Sequence, residues 1–66
     1  MKHIMNWYFI FETDEGDFAI IETDKERAIA MAYEMTEFDG GCELIDEFPA
    51  DNIGDDMIDA MGLDVY

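Results

Sequence analysis

The chain has 66 residues, of which 18 are Asp or Glu and three are Lys or Arg, so its formal net charge is -15 at pH 7. A net charge of about 2–8 suffices to keep a small domain soluble, and a larger excess opposes the compact state by self-repulsion. Because 50% of the residues are hydrophobic and 14% are aromatic, the composition excludes a disordered acidic tail and predicts one folded acidic domain over residues 1–66.

The first predicted element is a β-hairpin. Residues 4–11 and 18–23 are rich in aromatic and β-branched side chains, which favour strands. Residues 13–17 separate the two runs and include Gly16, which can adopt positive φ. A connection of five residues predicts a longer hairpin loop rather than a two-residue turn.

A helix is predicted to follow the hairpin. Thr23 and Glu26 have the spacing of a capping box, and Asp39-Gly40-Gly41 supplies the stop. Helical spacing places Ala28, Ala32 and Met35 on the side that faces the sheet. The opposite side collects Glu26, Ala30, Glu34 and Glu37.

The third predicted strand covers residues 42–48. Strict alternation puts Glu43, Ile45 and Glu47 on one face of this strand and Cys42, Leu44, Asp46 and Phe48 on the other. Neither face is cleanly apolar, which is typical of an edge strand whose charges discourage aggregation.

A short final helix is predicted over roughly 55–61. Pro49 ends the preceding strand, Asp51 or Asn52 can cap the helix, and Gly62 ends it. Residues 63–66 are expected to fold back onto the core through their apolar side chains. The prediction is therefore an α+β domain with the order ββαβα, the third strand antiparallel.

The sequence contains few of the Ser, Cys and His residues that many enzymes use for catalysis. The chain has no Ser and no Gln, so a serine nucleophile and a serine-attached cofactor are both excluded. Cys42 and His3 are the one thiol–imidazole pair, and nothing brings them together. The acidic hairpin loop lacks the ligand spacing of an EF-hand. We expect no catalytic site, no cofactor and no dedicated metal site.

The remaining features indicate a protein of a reducing cytoplasm. A single cysteine cannot form an intramolecular disulfide. No apolar stretch approaches the ~18 residues of a membrane span, and no signal-peptide cleavage site follows the N-terminal aromatic run. Direct binding to nucleic acid is disfavoured because phosphates repel a protein of this charge.

Acidic residues occur on every predicted element, at spacings that can imitate a row of phosphates. In its size, extreme acidity, hairpin packed with a helix and lack of a catalytic constellation, the chain resembles the small acidic DNA-mimic inhibitors of phages and mobile elements, including anti-CRISPR proteins. The resemblance carries over no individual residue. It implies a non-enzymatic inhibitor that acts in the cytoplasm of a bacterial host cell and blocks the DNA-binding surface of a basic target, for instance a CRISPR–Cas surveillance complex.

The candidate partner-binding residues are acids at the exposed end of the first helix, on the third strand and on the last helix, which are expected to form neighbouring surface. They are Glu34, Glu37, Asp39, Glu43, Asp46, Glu47, Asp55, Asp56 and Asp59.

Two other classes of function fit the same charge. A halophilic domain of unrelated function also carries many acids and few lysines, and it would need molar salt to fold. An acidic adaptor or antitoxin-like module would neutralise a basic protein without imitating DNA. Salt dependence separates the first class from a DNA mimic, and competition with DNA separates the second.

Overall fold

The computed structural model of the chain describes residues 5–66, which form four strands and two helices. In chain order these are β1 Trp7–Thr13, β2 Gly16–Glu22, α1 Lys25–Met35, β3 Glu43–Pro49, α2 Asn52–Met61 and β4 Asp64–Val65. The sheet order is β3-β1-β2-β4, with β1 antiparallel to both neighbours and β4 parallel to β2. The predicted α+β class is confirmed, and β4 is a strand that the prediction lacked.

The hairpin is confirmed, but its connection is shorter than predicted. Thr13 pairs with Gly16, which leaves only Asp14 and Glu15 in the turn. The Thr13 hydroxyl donates to the Gly16 carbonyl at 2.7 Å and accepts from the Glu15 N–H at 3.1 Å. Gly16 takes the positive φ, 126°, so strand pairing extends to the turn itself. The predicted strand start at Ile4 lies outside the described residues.

The two helices lie on opposite faces of the sheet. Phe9 and Phe11 of β1 pack in a cluster with Ala28 and Ala32 of α1. The alternate residues Tyr8 and Ile10 pack in a second cluster, which contains Ile58 of α2. Because successive strand side chains point to opposite faces, α1 covers one face and α2 the other, here named the α1 side and the α2 side. Burial on both faces explains why residues 7–11 read as one continuous apolar run.

The N-cap of helix α1 lies one residue later than predicted. The N-cap is Asp24, whose carboxylate accepts from the Glu26 N–H at 2.9 Å, so the predicted capping box at Thr23 was wrong. Ala28 and Ala32 are buried as predicted, whereas Met35 stays 41% exposed. The helix ends at Met35, where the buried Thr36 turns its hydroxyl back to the Ala32 carbonyl at 2.8 Å.

Strand β3 lies at the sheet edge, as predicted, but its alternation is broken by a bulge. Phe11 pairs with Leu44 and Ile10 pairs with Asp46, so Ile45 has no partner on β1. The extra residue shifts the alternation, so the residues of β3 before Ile45 point to the opposite faces from those that strict alternation predicts. Glu43 therefore lies on the α2 side and Glu47 on the α1 side, and their predicted common face was wrong.

Helix α2 starts at Asn52, three residues before its predicted start. Asp51 is the cap, accepting from the Gly54 N–H at 2.8 Å, and Gly62 ends the helix with φ 67°. The chain then folds back as predicted, although within residues 63–66 only Leu63 packs its side chain against the core cluster on the α2 side. Val65 and Tyr66 stay 40% and 54% exposed, and the backbone of Tyr66 holds the segment by donating to the Ala19 carbonyl and accepting from the Ile21 N–H. Across residues 5–66, neither helix has the length and apolar character needed to cross a membrane.

Candidate acidic binding surface

Positive charge is confined to one place in the described part of the chain. Lys25 forms an ion pair with Glu47 at 2.9 Å, and Arg27 lies 3.7 Å from Glu22. Both cations belong to the first turn of α1, and both carboxylates face the α1 side. A hydrogen bond from the Thr23 N–H is the main reason why the pKa of Glu22 is lowered, and Arg27 contributes to the same shift. Within residues 5–66, the α2 side therefore has no Lys or Arg.

Three acids form a row across the strands on the α2 side, here named the acidic row. Glu12 of β1 pairs directly with Glu43 of β3 and with Asp17 of β2, and all three side chains are exposed. Directly opposed side chains have Cβ atoms about 4.5–5.5 Å apart, and like charges in this arrangement are destabilising. The acidic row thus concentrates negative charge at the end of the sheet that carries the β1–β2 turn. This concentration of charge lowers the stability of the fold.

Further acids on the α2 side come from β3 and α2. Asp46 is exposed and lies opposite Ile10, whose neighbours on this face pack against α2. Asp55, Asp56 and Asp59 are exposed on α2, with the buried Ile58 holding the helix to the sheet. Asp55 also lies in the first turn of α2, where the helix dipole favours a negative charge.

Asp55 has a structural role besides its charge. The Tyr8 hydroxyl donates to Asp55 Oδ1 at 2.6 Å, which ties α2 to β1. This hydrogen bond is the main cause that raises the pKa of Tyr8, with desolvation and the nearby carboxylate charge adding to it.

The structure brings together five of the nine predicted contact residues. Together with two acids that the prediction omitted, they form the acidic face, defined as Glu12, Asp17, Glu43, Asp46, Asp55, Asp56 and Asp59. Alternation with Tyr8, Ile10 and Ala19 in the two hairpin strands was the signal that could have placed Glu12 and Asp17 on this face.

The other four predicted residues lie elsewhere. Glu34 is on α1, and Glu37 and Asp39 are in the turn that follows α1. Glu47 faces the α1 side and is already paired with Lys25. We expected the acids at the end of the first helix to adjoin those of the last helix. They do not, because the sheet separates the two helices.

The acidic face is an open surface with a shallow cleft at one end. This cleft, of about 220 Å³, lies near the β1–β2 turn, and its lining includes Glu12, Asp14 and Glu43. Pockets for small-molecule ligands usually enclose about 300–1,000 Å³ and are mostly apolar. Among the residues described, no group of three or more His, Cys, Asp or Glu side chains is arranged to hold a metal ion.

Comparison of the chain with protein-family models, with curated proteins and with solved structures found no match. The placement of charge on the fold is therefore the observation from which function is inferred.

Proposed function

We propose that this protein is a non-enzymatic inhibitor that binds a basic nucleic-acid-binding protein through its acidic face and occupies the surface that otherwise receives DNA. The observation that carries the proposal is the one-sided distribution of positive charge, which leaves the acids of the α2 side without a neighbouring Lys or Arg in the described part of the chain. Seven carboxylates share the α2 side, whereas both cations in the described part of the chain lie on the α1 side and are already paired.

The geometry of the acidic row supports imitation of a phosphate backbone. Glu43, Glu12 and Asp17 follow one another across neighbouring strands, which lie about 4.8 Å apart. One strand of duplex DNA presents a charge every ~3.4 Å of axis, so the two spacings are of the same order. Because the row is built on a hydrogen-bonded sheet, its backbone positions are held before binding, and little ordering is required when a Lys- or Arg-lined groove approaches.

The acidic row also lowers the stability of the fold. Two directly opposed like-charge pairs lower stability, each by a few tenths of a kcal/mol up to about 1 kcal/mol. A domain selected for stability alone has no use for them. Their presence on an exposed face is what a binding surface for a basic partner requires.

Within this class we propose a CRISPR–Cas surveillance complex as the target, following the resemblance to anti-CRISPR proteins. Such complexes read a short duplex motif with Arg or Lys side chains and hold nucleic acid in a positively charged channel. An acidic face on a rigid sheet is a suitable competitor for that surface.

The proposal is tested by capture followed by elution with DNA. The immobilised protein is incubated with lysate of a CRISPR-bearing bacterium and washed. It is then eluted either with duplex DNA or with buffer of the same ionic strength. We expect duplex DNA to release a nucleic-acid-binding protein that the matched buffer leaves bound. A captured partner that ignores DNA would instead support an acidic adaptor, and the absence of any partner would contradict both.

A further inference from the structure

Two shallow, open depressions adjoin each other along the flank of α1 on the α1 side of the sheet. A cavity of about 430 Å³ is lined by Met31, Glu34 and Met35. A second cavity of about 210 Å³ shares Met35 and adds Phe18 and Tyr66 on its other wall. The rings of Phe18 and Tyr66 meet edge to face at 5.9 Å, which fixes that wall against the sheet. We name this feature the methionine groove.

The apolar side chains of the methionine groove remain accessible. Met31 is 36% exposed, Met35 is 41% exposed and Tyr66 is 54% exposed. Met31 and Met35 are four residues apart on α1, so they are neighbours on its surface. Methionine is flexible and polarisable, and it is enriched at surfaces that accept varied apolar partners. The groove therefore offers an adaptable apolar floor.

The rim of the methionine groove is acidic. Glu34 lines the first cavity, and Glu15 and Asp39 line the second. Lys25 and Arg27 lie in the first turn of α1, whereas Met35 is its last residue, about 12–15 Å away along the helix axis. No Lys or Arg appears among the lining residues of either cavity. An apolar floor with an acidic rim is complementary to a partner that has apolar and basic side chains on one surface.

We propose that the methionine groove binds a basic amphipathic helix of a partner protein. Such a helix places apolar anchors at helical spacing into a groove and keeps its Lys and Arg side chains at the rim. A second copy of this chain is disfavoured as the occupant, because each copy carries a net charge of -15 and would bring acids to an acidic rim. The proposal does not depend on DNA mimicry, since the acidic face lies on the opposite side of the sheet.

The test uses two labelled synthetic peptides of Leu and Lys, about 18 residues or five helical turns long. They have identical composition, and only one places its Leu residues on a single helical face. Fluorescence anisotropy at about 0.15 M salt is expected to show at least about tenfold tighter binding of the amphipathic peptide. Equal affinity for the two peptides would overturn the proposal, because charge alone would then explain binding.

Two double variants locate the binding site. Met31→Gln with Met35→Gln keeps side-chain length and helix propensity while making the groove polar, and it is expected to abolish the preference for the amphipathic peptide. The matched control is Met57→Gln with Met61→Gln. These methionines have the same spacing on α2 and similar exposure, 42% and 44%, but lie on a helix across the sheet. The control is expected to retain the preference. A control that loses the preference, while the Met31 and Met35 variant keeps it, would contradict the assignment of the binding site to the methionine groove.

A measurement on the unmodified protein covers the case in which the groove variant fails to fold. The methyl resonances of Met31 and Met35 are expected to shift on addition of the amphipathic peptide, while those of Met57 and Met61 stay in place. Shifts confined to the α2 methyls would overturn the proposal. Failure of this test together with successful elution by DNA would remove the groove and leave the proposed function intact.

Discussion

The contact between Tyr8 and Asp55 joins the core to the candidate surface. Tyr8 is buried in the cluster that packs against α2, and its hydroxyl donates to Asp55 at 2.6 Å. Charge reversal at Asp55 would therefore test folding and binding together. Asp56 and Asp59, which have no such hydrogen bond among the residues described, are the better positions for probing the charge of α2.

We predict that Tyr8→Phe lowers the free energy of unfolding by about 1 kcal/mol at pH 7, the usual net value of a hydrogen bond. The pKa of Tyr8 is raised above its ordinary value of 10.0 in the folded state. Its hydrogen bond therefore contributes fully below pH 10.0 and is lost as pH rises through the folded pKa. Urea unfolding over a pH series should show the wild type losing its advantage over Tyr8→Phe above pH 10. A constant difference across that range would refute this account.

Gly54 shows how a single residue permits α2 to dock. In an exposed helix interior, replacing Gly by Ala gains about 1 kcal/mol. At Gly54 an added Cβ would overlap the Pro49 carbonyl oxygen and press on the ring of Phe48 at 3.3 Å. We predict that Gly54→Ala instead destabilises the protein by roughly 1–3 kcal/mol. Urea unfolding measures the sign directly, and a stabilised variant would mean that α2 does not approach β3 so closely.

At the scale of the elements, the acidic row makes stability and binding respond in opposite directions. Glu12→Lys replaces two like-charge pairs by two opposite-charge pairs with Glu43 and Asp17. We predict a gain in stability of about 0.5–1 kcal/mol and weaker binding of the basic partner. Thermal unfolding and a binding titration on the same sample measure the two effects.

The control for this prediction is Glu26→Lys, which changes the net charge by the same amount on the exposed surface of α1. It should weaken binding much less than Glu12→Lys does. Equal losses would indicate that the partner responds to total charge rather than to the acidic face.

The elements also show where reasoning from the sequence succeeds and where it stops. Periodicity located the hairpin and the buried Ala28 and Ala32, because a repeating apolar pattern directly reports a packed face. The bulge at Ile45 depends on pairing with β1, and β4 is held by backbone hydrogen bonds that leave no side-chain pattern. Which face each helix covers depends on how the chain crosses the sheet. The sequence therefore predicted the acidic character of the candidate site but not which acids lie on the α2 side of the sheet.

At the scale of the whole molecule, the net charge of -15 predicts opposite effects of salt on folding and on binding. Screening relieves self-repulsion, so the folded protein should be somewhat more stable at 1 M salt, where the Debye length is ~3 Å, than at 0.1 M, where it is ~10 Å. Binding to a basic partner should weaken over the same range. Circular dichroism melts and binding titrations across this series test both effects. A chain that is unfolded at 0.1 M and folds only in molar salt would support the halophilic alternative.

Mutual exclusion with DNA is the central claim of this account, and one competition titration tests it most directly. Binding of a duplex to the purified partner is measured at several fixed concentrations of this protein and at constant ionic strength. We predict that the apparent Kd for DNA rises linearly with the concentration of the free protein, from its value without the protein, while saturating DNA still reaches the same plateau. A reduced plateau, or an unchanged Kd despite demonstrated binding of the protein, would show that it binds elsewhere on the partner and would contradict the claim of DNA mimicry.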